Sequence, residues 1–206
     1  MSEAQEATMA FVVDDDSALR ESISSLLRSV GMYVETYPTG EQFLQRGRPD
    51  VPCCLILDVR LHGESGLDFQ ARLNELNTCI PIIFISGHGD IEMSVRAMKA
   101  GAHDFLVKPF RDQALLDAVA LAVRKDAVRR ESIKGIVELQ TRYKALSERE
   151  REVMALAVRG LMNKQIASEM GLSEITVKIH RGHAMRKMAA RTFADLVKMS
   201  SLLGAS

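Results

Sequence analysis

The feature that most constrains the fold is an alternation of short, mainly apolar segments with helical patterns over residues 9–124. The segments have the length of strands, and apolar residues between them recur at helical spacing. Continuous apolar strands separated by helices belong in a parallel sheet that is covered on both faces. The predicted strands are Met9–Val13, Met32–Tyr37, Cys53–Leu57, Pro81–Ile85 and Phe105–Val107. We therefore predict an α/β domain with a doubly wound (βα)5 fold.

Five helical segments follow these strands in turn. They are Ser17–Val30, Glu41–Arg46, Gly66–Leu76, Ile91–Ala100 and Arg111–Arg124. Gly31 and Gly101 directly follow two of these segments, and glycine at this position commonly ends a helix. Before the third helix, His62–Ser65 is predicted to be a loop.

Polar side chains stand at the carboxyl ends of four predicted strands. They are Asp14, Asp15 and Asp16 after the first strand, Asp58 after the third, Ser86 after the fourth and Lys108 after the fifth. Because the carboxyl ends of parallel strands meet at one edge of a sheet, we expect these groups to converge. Clustered carboxylates need a cation or a proton, and Mg²⁺ prefers carboxylate oxygens. A carboxylate can also attack a phosphoryl group, whose charge the lysine and the hydroxyl would offset.

Each of these residues alone has a simpler explanation. Asp16 is suited to cap the helix that starts at Ser17, and an isolated Lys108 would be a solvated surface lysine. Ser86 followed by Gly87 is by itself an ordinary turn. The combination at four separate strand ends is more specific than any member of it, and it favours a phosphoryl-transfer site.

Four motifs carry a resemblance to the receiver domain of bacterial two-component response regulators. VVDDD (12–16), LILD (55–58), FISGHGD (84–90) and FLVKPF (105–110) stand in the order and spacing of that family, which residues 9–124 resemble. The resemblance implies that Asp58 accepts a phosphoryl group from a sensor histidine kinase. It also implies that Mg²⁺ is held by Asp14, Asp15, Asp58 and the backbone carbonyl of Arg60.

The same resemblance implies roles for the remaining strand-end residues. Ser86 takes the position of the hydroxyl that senses the phosphoryl group, and Phe105 takes the position of the aromatic switch residue. Lys108 takes the position of the family's lysine, and its bond to Pro109 is expected to be cis. One departure is His62, which stands where receivers often have proline. His88 lies two residues after Ser86 and therefore close to the predicted site. We hypothesise that His88 influences the rate at which the aspartyl phosphate is hydrolysed.

Residues 125–145 continue the helical pattern with dense charge and fewer apolar positions. No proline occurs between residues 112 and 146. The pattern fits a partly exposed linker helix that joins the receiver to a second domain. Fewer than three clean heptads are present, so both a solvated helix and a short dimeric coiled coil stay open.

Residues 146–206 show only helical patterns, which predicts a small all-α domain of four helices. Ser147 with Glu150 and Thr192 with Asp195 have the spacing of capping boxes, and Asn163 is predicted to cap the second helix. Two helices joined by residues 171–173 resemble a helix-turn-helix. Between residues 162 and 191, Lys and Arg exceed Asp and Glu by 4, which favours contact with nucleic-acid phosphates. By composition alone, a plain helical bundle is an equal alternative.

LSEREREV (146–153), GLMNKQIA (160–167) and LSEITVKIH (172–180) favour DNA binding over that alternative. With the basic residues after them, they fall at the spacing of the LuxR-type DNA-binding domain, so the chain resembles regulators of the NarL/FixJ class, and most the FixJ subfamily. The resemblance implies that the helix Glu174–Met188 enters the major groove, with DNA contacts near Lys164, Thr176, Lys178, Ile179, Arg181 and Gly182.

Different chemistry is expected at these positions. Lys164 and Arg181 are suited to phosphate, which positions a protein on DNA without specifying sequence. Lys178 is suited to a guanine or a phosphate, and Ile179 to a thymine methyl group. Gly182 is a departure, because it offers no side chain and weakens a helix by up to ~1 kcal/mol.

The net charge of zero would argue against a nucleic-acid partner, but it is the sum of two opposite halves. Residues 1–124 carry a net charge of −7 and residues 125–206 carry +7. This asymmetry indicates an acidic module joined to a basic one. The three cysteines, Cys53, Cys54 and Cys79, have no CxxC spacing, so we expect reduced, buried thiols in the cytoplasm. No apolar run approaches the roughly 18 residues of a membrane span, and the N-terminus lacks a signal-peptide pattern.

These observations predict a phosphorylation-controlled transcriptional regulator rather than an enzyme. Phosphorylation would shift Ser86 and Phe105, and a face that includes Val95 and Lys99 would then form a homodimer on a two-fold related promoter site. By resemblance, RNA polymerase is a further partner, and activation is expected rather than repression.

Three alternatives differ in function class. A DNA-binding regulator that ignores phosphorylation would lack an acceptor-site residue, and none is missing. A metal-dependent phosphatase with an aspartate nucleophile would carry a second carboxylate two residues after Asp58, where this chain has Arg60, and would need a cap segment that encloses its substrate. A protein-only adaptor would have no use for the basic C-terminal helix.

Overall fold

The computed structural model of the chain describes residues 7–47, 49–61, 63–87 and 91–204. The chain divides into two compact units, of which the first ends at Arg130 and the second begins at Glu131. The first unit is α/β and the second is all-α, as predicted. Within the described ranges, no helix combines the length and the apolar character that crossing a membrane requires.

The first unit is built on a parallel sheet of five strands. In chain order the strands are β1 (Met9–Val13), β2 (Tyr33–Tyr37), β3 (Cys53–Asp58), β4 (Arg60–Leu61), β5 (Glu64–Ser65), β6 (Ile82–Ser86) and β7 (Asp104–Val107). The order in the sheet is β2-β1-β3-β6-β7, with every neighbouring pair parallel. The doubly wound sheet predicted from the sequence is confirmed, and its strands differ only at their ends.

The short strands β4 and β5 pair antiparallel outside the main sheet. The loop predicted over His62–Ser65 is therefore wrong for Glu64 and Ser65, which form β5. The chain can reverse there because Gly63 has a φ of 88°, a left-handed conformation that glycine adopts without strain. This hairpin begins at Arg60, two residues after Asp58.

Five helices cover the two faces of the sheet. They are α1 (Ser17–Ser29), α2 (Gly40–Arg46), α3 (Gly66–Glu75), α4 (Ile91–Lys99) and α5 (Asp112–Lys144). Alternate residues of a strand point to opposite faces. Accordingly, Ala10 and Val12 of β1 pack with α1 and α5, whereas Phe11 and Val13 pack with α2, α3 and α4. The fifth predicted helix and the predicted linker form one continuous helix of 33 residues.

The second unit contains the four predicted helices, α6 (Glu148–Val158), α7 (Asn163–Met170), α8 (Glu174–Met188) and α9 (Phe193–Leu202). Both predicted capping boxes are present, before α6 and before α9. The prediction that Asn163 caps α7 is wrong, because Met162 has the extended conformation of the capping residue and Gln165 Oε1 accepts its N–H. Gly171, with a φ of 64°, ends α7 and starts the turn that leads into α8.

The cysteines divide into two groups. Cys53 and Cys54 are buried in β3, and burial raises the pKa of the Cys54 thiol far above its ordinary value. The predicted burial of Cys79 is wrong. Cys79 is exposed because the fourth strand of the main sheet begins only at Ile82, after the turn in which Cys79 lies.

Candidate functional site

The carboxyl ends of four strands meet at one edge of the sheet, as the sequence predicts. Lys108, directly after β7, connects the ends of two other strands. Its Nζ donates to Asp14 Oδ2 at 2.9 Å and to Asp58 Oδ1 at 3.1 Å. The backbone N–H of Lys108 donates to the carbonyl of Ser86 at 2.7 Å. Since Asp14 follows β1 and Asp58 ends β3, the side chain and backbone of Lys108 together link all four strand ends. The Lys108–Pro109 bond is cis, as expected.

Three carboxylates form a compact cluster at this edge. Asp14, Asp15 and Asp58 each offer an oxygen, and these atoms all lie within 4.8 Å of one another. Burial raises the pKa of Asp58, although its hydrogen bond with Lys108 opposes that shift. Burial lowers the pKa of Lys108, but its bonds to Asp14 and Asp58 outweigh this effect and leave that pKa above the ordinary value. The site is thus a partly buried set of hard oxygen donors beside one ammonium group.

Hydrogen bonds within the turn between β1 and α1, and between that turn and α1, hold the turn in place. The N–H of Asp16 donates to Asp14 Oδ1 at 2.8 Å, and the Asp16 side chain accepts from Ala18 and Leu19. The simpler explanation of Asp16, a helix cap, is therefore confirmed. Arg20 Nη1 in α1 donates to the carbonyl of Asp14 at 2.6 Å. No motif or spacing in the sequence marks Arg20 as a residue of this site.

Gly66 is a second residue at the site that the sequence analysis did not single out. It begins α3, and its N–H donates to the carbonyl of Val59 at 2.8 Å. A Cβ built at Gly66 would overlap the backbone carbonyl oxygen of Asp58. The close approach of α3 to the backbone of Asp58 therefore requires glycine at this position.

Replacing Gly66 by alanine is expected to lower the free energy of unfolding of the first unit by about 2 kcal/mol, because the backbone of Asp58 or α3 must shift. Chemical denaturation of the full-length chain measures this loss. Gly135→Ala is the matched control, since nothing lies within 4 Å of its Cβ and alanine favours a helix interior. We expect that control to be neutral or more stable, and an equally stable Gly66→Ala variant would contradict the prediction.

The other predicted receiver residues lie close to the cluster or on α4. Ser86 is buried, Phe105 is half-buried with its ring centroid 6.2 Å from that of Phe84, and the N–H of Arg60 donates to Asp58 Oδ2 at 3.3 Å. Val95 and Lys99 are exposed, four residues apart on α4 and hence on one face of that helix. His62 and His88 lie outside the described residues.

In the second unit, α7 and α8 form the two helices of the predicted helix-turn-helix. Lys164 and Lys178 are exposed, as is Ile179 with 51% of its surface accessible. Thr176 is half-buried beside Ser173, whose hydroxyl lies 2.8 Å from its own. At Gly182, nothing lies within 4 Å of a Cβ, so a side chain would fit there.

Two residues of α8 have surroundings that the sequence does not predict. Arg181 Nη1 donates to Asn163 Oδ1 at 3.0 Å, and the Arg181 guanidinium lies 4.5 Å from the ring centroid of Phe193. Arg181 thus already binds groups of its own unit. Ile175 is 73% exposed and lies one turn before Ile179 on the same helix. That spacing was the available signal for an outward-facing apolar pair.

Glu150 is a buried carboxylate that connects α6 to α8. Its Oε2 accepts from Lys187 Nζ at 2.6 Å and from the N–H of Ser147 at 2.8 Å, and Oε1 lies 3.4 Å from His183 Nδ1. The hydrogen bond from Lys187 is the main reason that the pKa of Glu150 is lowered to about 2. The contact holds α8 from the side of α6.

Comparison with known proteins agrees with this two-part organisation. The family described as the response regulator receiver domain matches residues 10–120, and the family described as bacterial regulatory proteins, luxR family, matches residues 144–200. Nodulation protein W of Bradyrhizobium diazoefficiens is 56% identical over 204 residues, which cover 99% of this chain and 90% of that protein.

Two further comparisons extend over nearly the whole chain. The transcriptional regulatory protein FixJ of Azorhizobium caulinodans is 40% identical over 199 residues, covering 97% of this chain and 94% of that protein. A solved structure of the response regulator StyR has a TM-score of 0.86 and 47% identity, and the match covers 95% of this chain and 98% of that one. The chain therefore belongs to the two-component response regulators and is a transcriptional regulator of the NarL/FixJ class, with a receiver domain followed by a LuxR-type DNA-binding domain.

Proposed function

We propose that phosphorylation of Asp58 by a sensor histidine kinase controls promoter binding by the second unit. The observation that most supports this proposal is that Lys108 Nζ bonds both Asp14 and Asp58 at the carboxyl edge of the sheet. We propose the domain limits 9–124 for the receiver, 125–145 for the linker and 146–206 for the DNA-binding domain.

The donor set fits Mg²⁺. Three carboxylates whose oxygens lie within 4.8 Å of one another suit a hard divalent cation better than a soft one. Asp14, Asp15, Asp58 and the backbone carbonyl of Arg60 would hold the ion. When bound, Mg²⁺ would neutralise part of the carboxylate charge and of the charge on the phosphoryl oxygens.

The proposed reaction is transfer of a phosphoryl group from a phosphohistidine of the kinase. A carboxylate oxygen of Asp58 attacks phosphorus, a P–O bond forms, and the P–N bond breaks with its electron pair staying on the imidazole. The ammonium of Lys108 offsets charge on the transferred oxygens, and the hydroxyl of Ser86 donates to one of them. The chain would hydrolyse its own aspartyl phosphate slowly and would turn over no external substrate.

The proposed response to phosphorylation is a shift of Ser86 and Phe105. It would change the face around Val95 and Lys99 on α4, through which two chains would form a homodimer. The dimer would then place its two DNA-binding domains on a two-fold related promoter site in the cytoplasm. RNA polymerase is the further partner that activation of transcription would require.

DNA contact is proposed for α8 and the start of α7. Exposed Lys164 would bind phosphate, and exposed Lys178 a phosphate or a guanine. Ile179 would contact a thymine methyl group, and Thr176 and Gly182 would lie close to the DNA. Arg181 would bind a phosphate either by giving up its hydrogen bond to Asn163 or by using its other N–H groups while keeping that bond.

Treating the full-length chain with acetyl phosphate and Mg²⁺ tests the proposal. We expect one phosphoryl group per chain by mass spectrometry, loss of that group with hydroxylamine, and tighter binding to DNA selected from a random pool. Asp58→Asn should take up no phosphoryl group and should bind the same DNA equally with and without the donor. Phosphorylation of Asp58→Asn would contradict the assignment of the acceptor, and wild-type DNA binding that ignores the donor would contradict phosphorylation control.

A further inference from the structure

Arg20 lies beside the acidic cluster but binds outside its set of carboxylate oxygens. Its Nη1 donates at 2.6 Å to the backbone carbonyl of Asp14. That carbonyl is not among the proposed ligands of Mg²⁺. Its guanidinium is charged, and a bond from a charged donor is stronger than one between neutral groups. Arg20 is half-buried, so this bond is partly shielded from water.

The bond closes a loop of contacts around the turn between β1 and α1. Asp16 caps α1 through Ala18 and Leu19, and its N–H donates to Asp14 Oδ1. The N–H of Arg20 donates to the carbonyl of Asp16 at 3.0 Å, and the side chain of Arg20 then reaches back to Asp14. Hydrogen bonds therefore join the first turn of α1 to the residues just before the helix. Ala18 and Leu19 bond Asp16, and Arg20 bonds both Asp16 and Asp14.

This loop fixes Asp14 at each of its polar groups. Oδ1 accepts from the N–H of Asp16, Oδ2 accepts from Lys108, and the carbonyl accepts from Arg20. The N–H of Asp14 donates to the carbonyl of Tyr37 at 3.3 Å. Without Arg20, the carbonyl would lose its charged donor, and the peptide between Asp14 and Asp15 could rotate more freely. That peptide sets the relative positions of the two carboxylates.

We propose that Arg20 is a positioning residue for the divalent cation site, holding Asp14 and Asp15 in the arrangement in which their carboxylates meet Asp58. The inference rests on the proposed function, because it assumes that the cluster binds Mg²⁺. Groups that orient metal ligands without touching the metal typically change metal affinity by about 10–100-fold when they are removed.

Positioning and charge have opposite effects at this site, which makes the inference testable. Arg20 is a cation near three carboxylates, so removing its charge alone should strengthen Mg²⁺ binding. Removing its hold on the Asp14 carbonyl should weaken Mg²⁺ binding, because the carboxylates would then have to be ordered when the ion binds. The sign of the change in affinity tells which effect is larger.

The experiment is calorimetric titration of the full-length chain with MgCl₂. For Arg20→Leu we expect affinity for Mg²⁺ to fall about 10-fold, and for Arg20→Lys, which keeps a charged donor, we expect most of the affinity to return. Arg28→Leu is the matched control, because Arg28 lies on the same helix and donates to a backbone carbonyl, that of Val34, away from the carboxylates. We expect its Mg²⁺ affinity to equal that of the wild type.

Thermal unfolding in EDTA separates positioning from general stability. A merely structural role would lower the unfolding midpoint in EDTA and leave Mg²⁺ affinity unchanged, and this result would overturn the inference. Tighter Mg²⁺ binding by Arg20→Leu would overturn it as well. If Arg20→Leu does not fold, Arg20→Gln, whose shorter amide should lose the same contact, is titrated under the same criteria. Absence of Mg²⁺ binding by the wild type would overturn the proposed metal site together with this inference.

Discussion

Replacing Asp126 by alanine is expected to lower the free energy of unfolding of the first unit by about 3 kcal/mol. Asp126 lies on α5 and is fully buried. Its Oδ1 accepts from Arg129 at 2.8 Å, and its Oδ2 accepts from Arg130 at 2.8 Å and from the N–H of Cys53 at 3.1 Å. Alanine would leave that N–H and two guanidinium groups without their shared acceptor.

The expected loss is at the low end of the range for broken buried ion pairs, because the partners of Asp126 keep some contact with water. The Arg129 and Arg130 side chains are 31% and 15% exposed. Arg130 also keeps its bond to the carbonyl of Pro49 at 2.6 Å. These contacts partly offset the loss of the carboxylate.

Hydrogen exchange measured on the full-length chain shows whether the loss of stability on Asp126→Ala occurs in the first unit. Asp117→Ala is the control, because Asp117 is an exposed acid on the same helix whose partner is Gln113. We expect the control to change stability by less than about 0.5 kcal/mol. Faster exchange in β3 should accompany Asp126→Ala, and unchanged exchange there would contradict the proposed importance of the bond to Cys53.

Replacing Glu150 by glutamine is expected to destabilise the second unit by about 2 kcal/mol at neutral pH. The pKa of Glu150 is lowered from 4.5 to about 2, chiefly by the hydrogen bond from Lys187. A shift of that size corresponds to at most about 3 to 4 kcal/mol, and the partial exposure of Lys187 reduces this figure through solvent screening. The glutamine keeps the shape of the side chain but loses its charge.

The same change should remove a dependence of stability on pH. Because the pKa of Glu150 is lower in the folded chain than in the unfolded one, its contribution is complete above pH 4.5 and is lost as the pH falls through about 2. The stabilities of the wild type and Glu150→Gln should therefore converge as the pH falls from 4.5 towards 2. Denaturation at several pH values measures the difference.

Glu152→Gln is the control for charge alone. Glu152 pairs with Arg149 on the surface of the same helix, with both side chains about half exposed. A surface pair of this kind contributes roughly 0–1 kcal/mol, so we expect little change at any pH. A constant difference between wild type and Glu150→Gln from pH 7 to pH 2 would contradict the assigned role of the carboxylate.

Where the chain follows local rules, the sequence predicts the fold and much of the site. The apolar segments predict the strands, and the rule that parallel strands share one carboxyl edge brings Asp14, Asp58, Ser86 and Lys108 together. Capping boxes before α6 and α9 are predictable because their hydrogen bonds join residues only three apart. These features depend on short spacings or on sheet topology, which a single sequence carries.

What the sequence does not predict depends on contacts across long separations. Asp126 meets Cys53 across 73 positions, and nothing near Asp126 distinguishes it from the other charged residues of the helix. Gly66 is required by the backbone of Asp58, and a glycine at the start of a helix carries no such signal. Arg20 is a common residue on a helix surface, and only its bond to Asp14 sets it apart.

On the proposed function, Gly182 gives α8 a position at which a side chain can be added near the DNA without loss of stability. No atom lies within 4 Å of where a Cβ would stand, so a larger residue there would displace nothing in the core. A substitution at Gly182 would also favour the helix by up to about 1 kcal/mol. The proposed DNA selectivity of α8 could therefore change through this position without first passing through an unstable form.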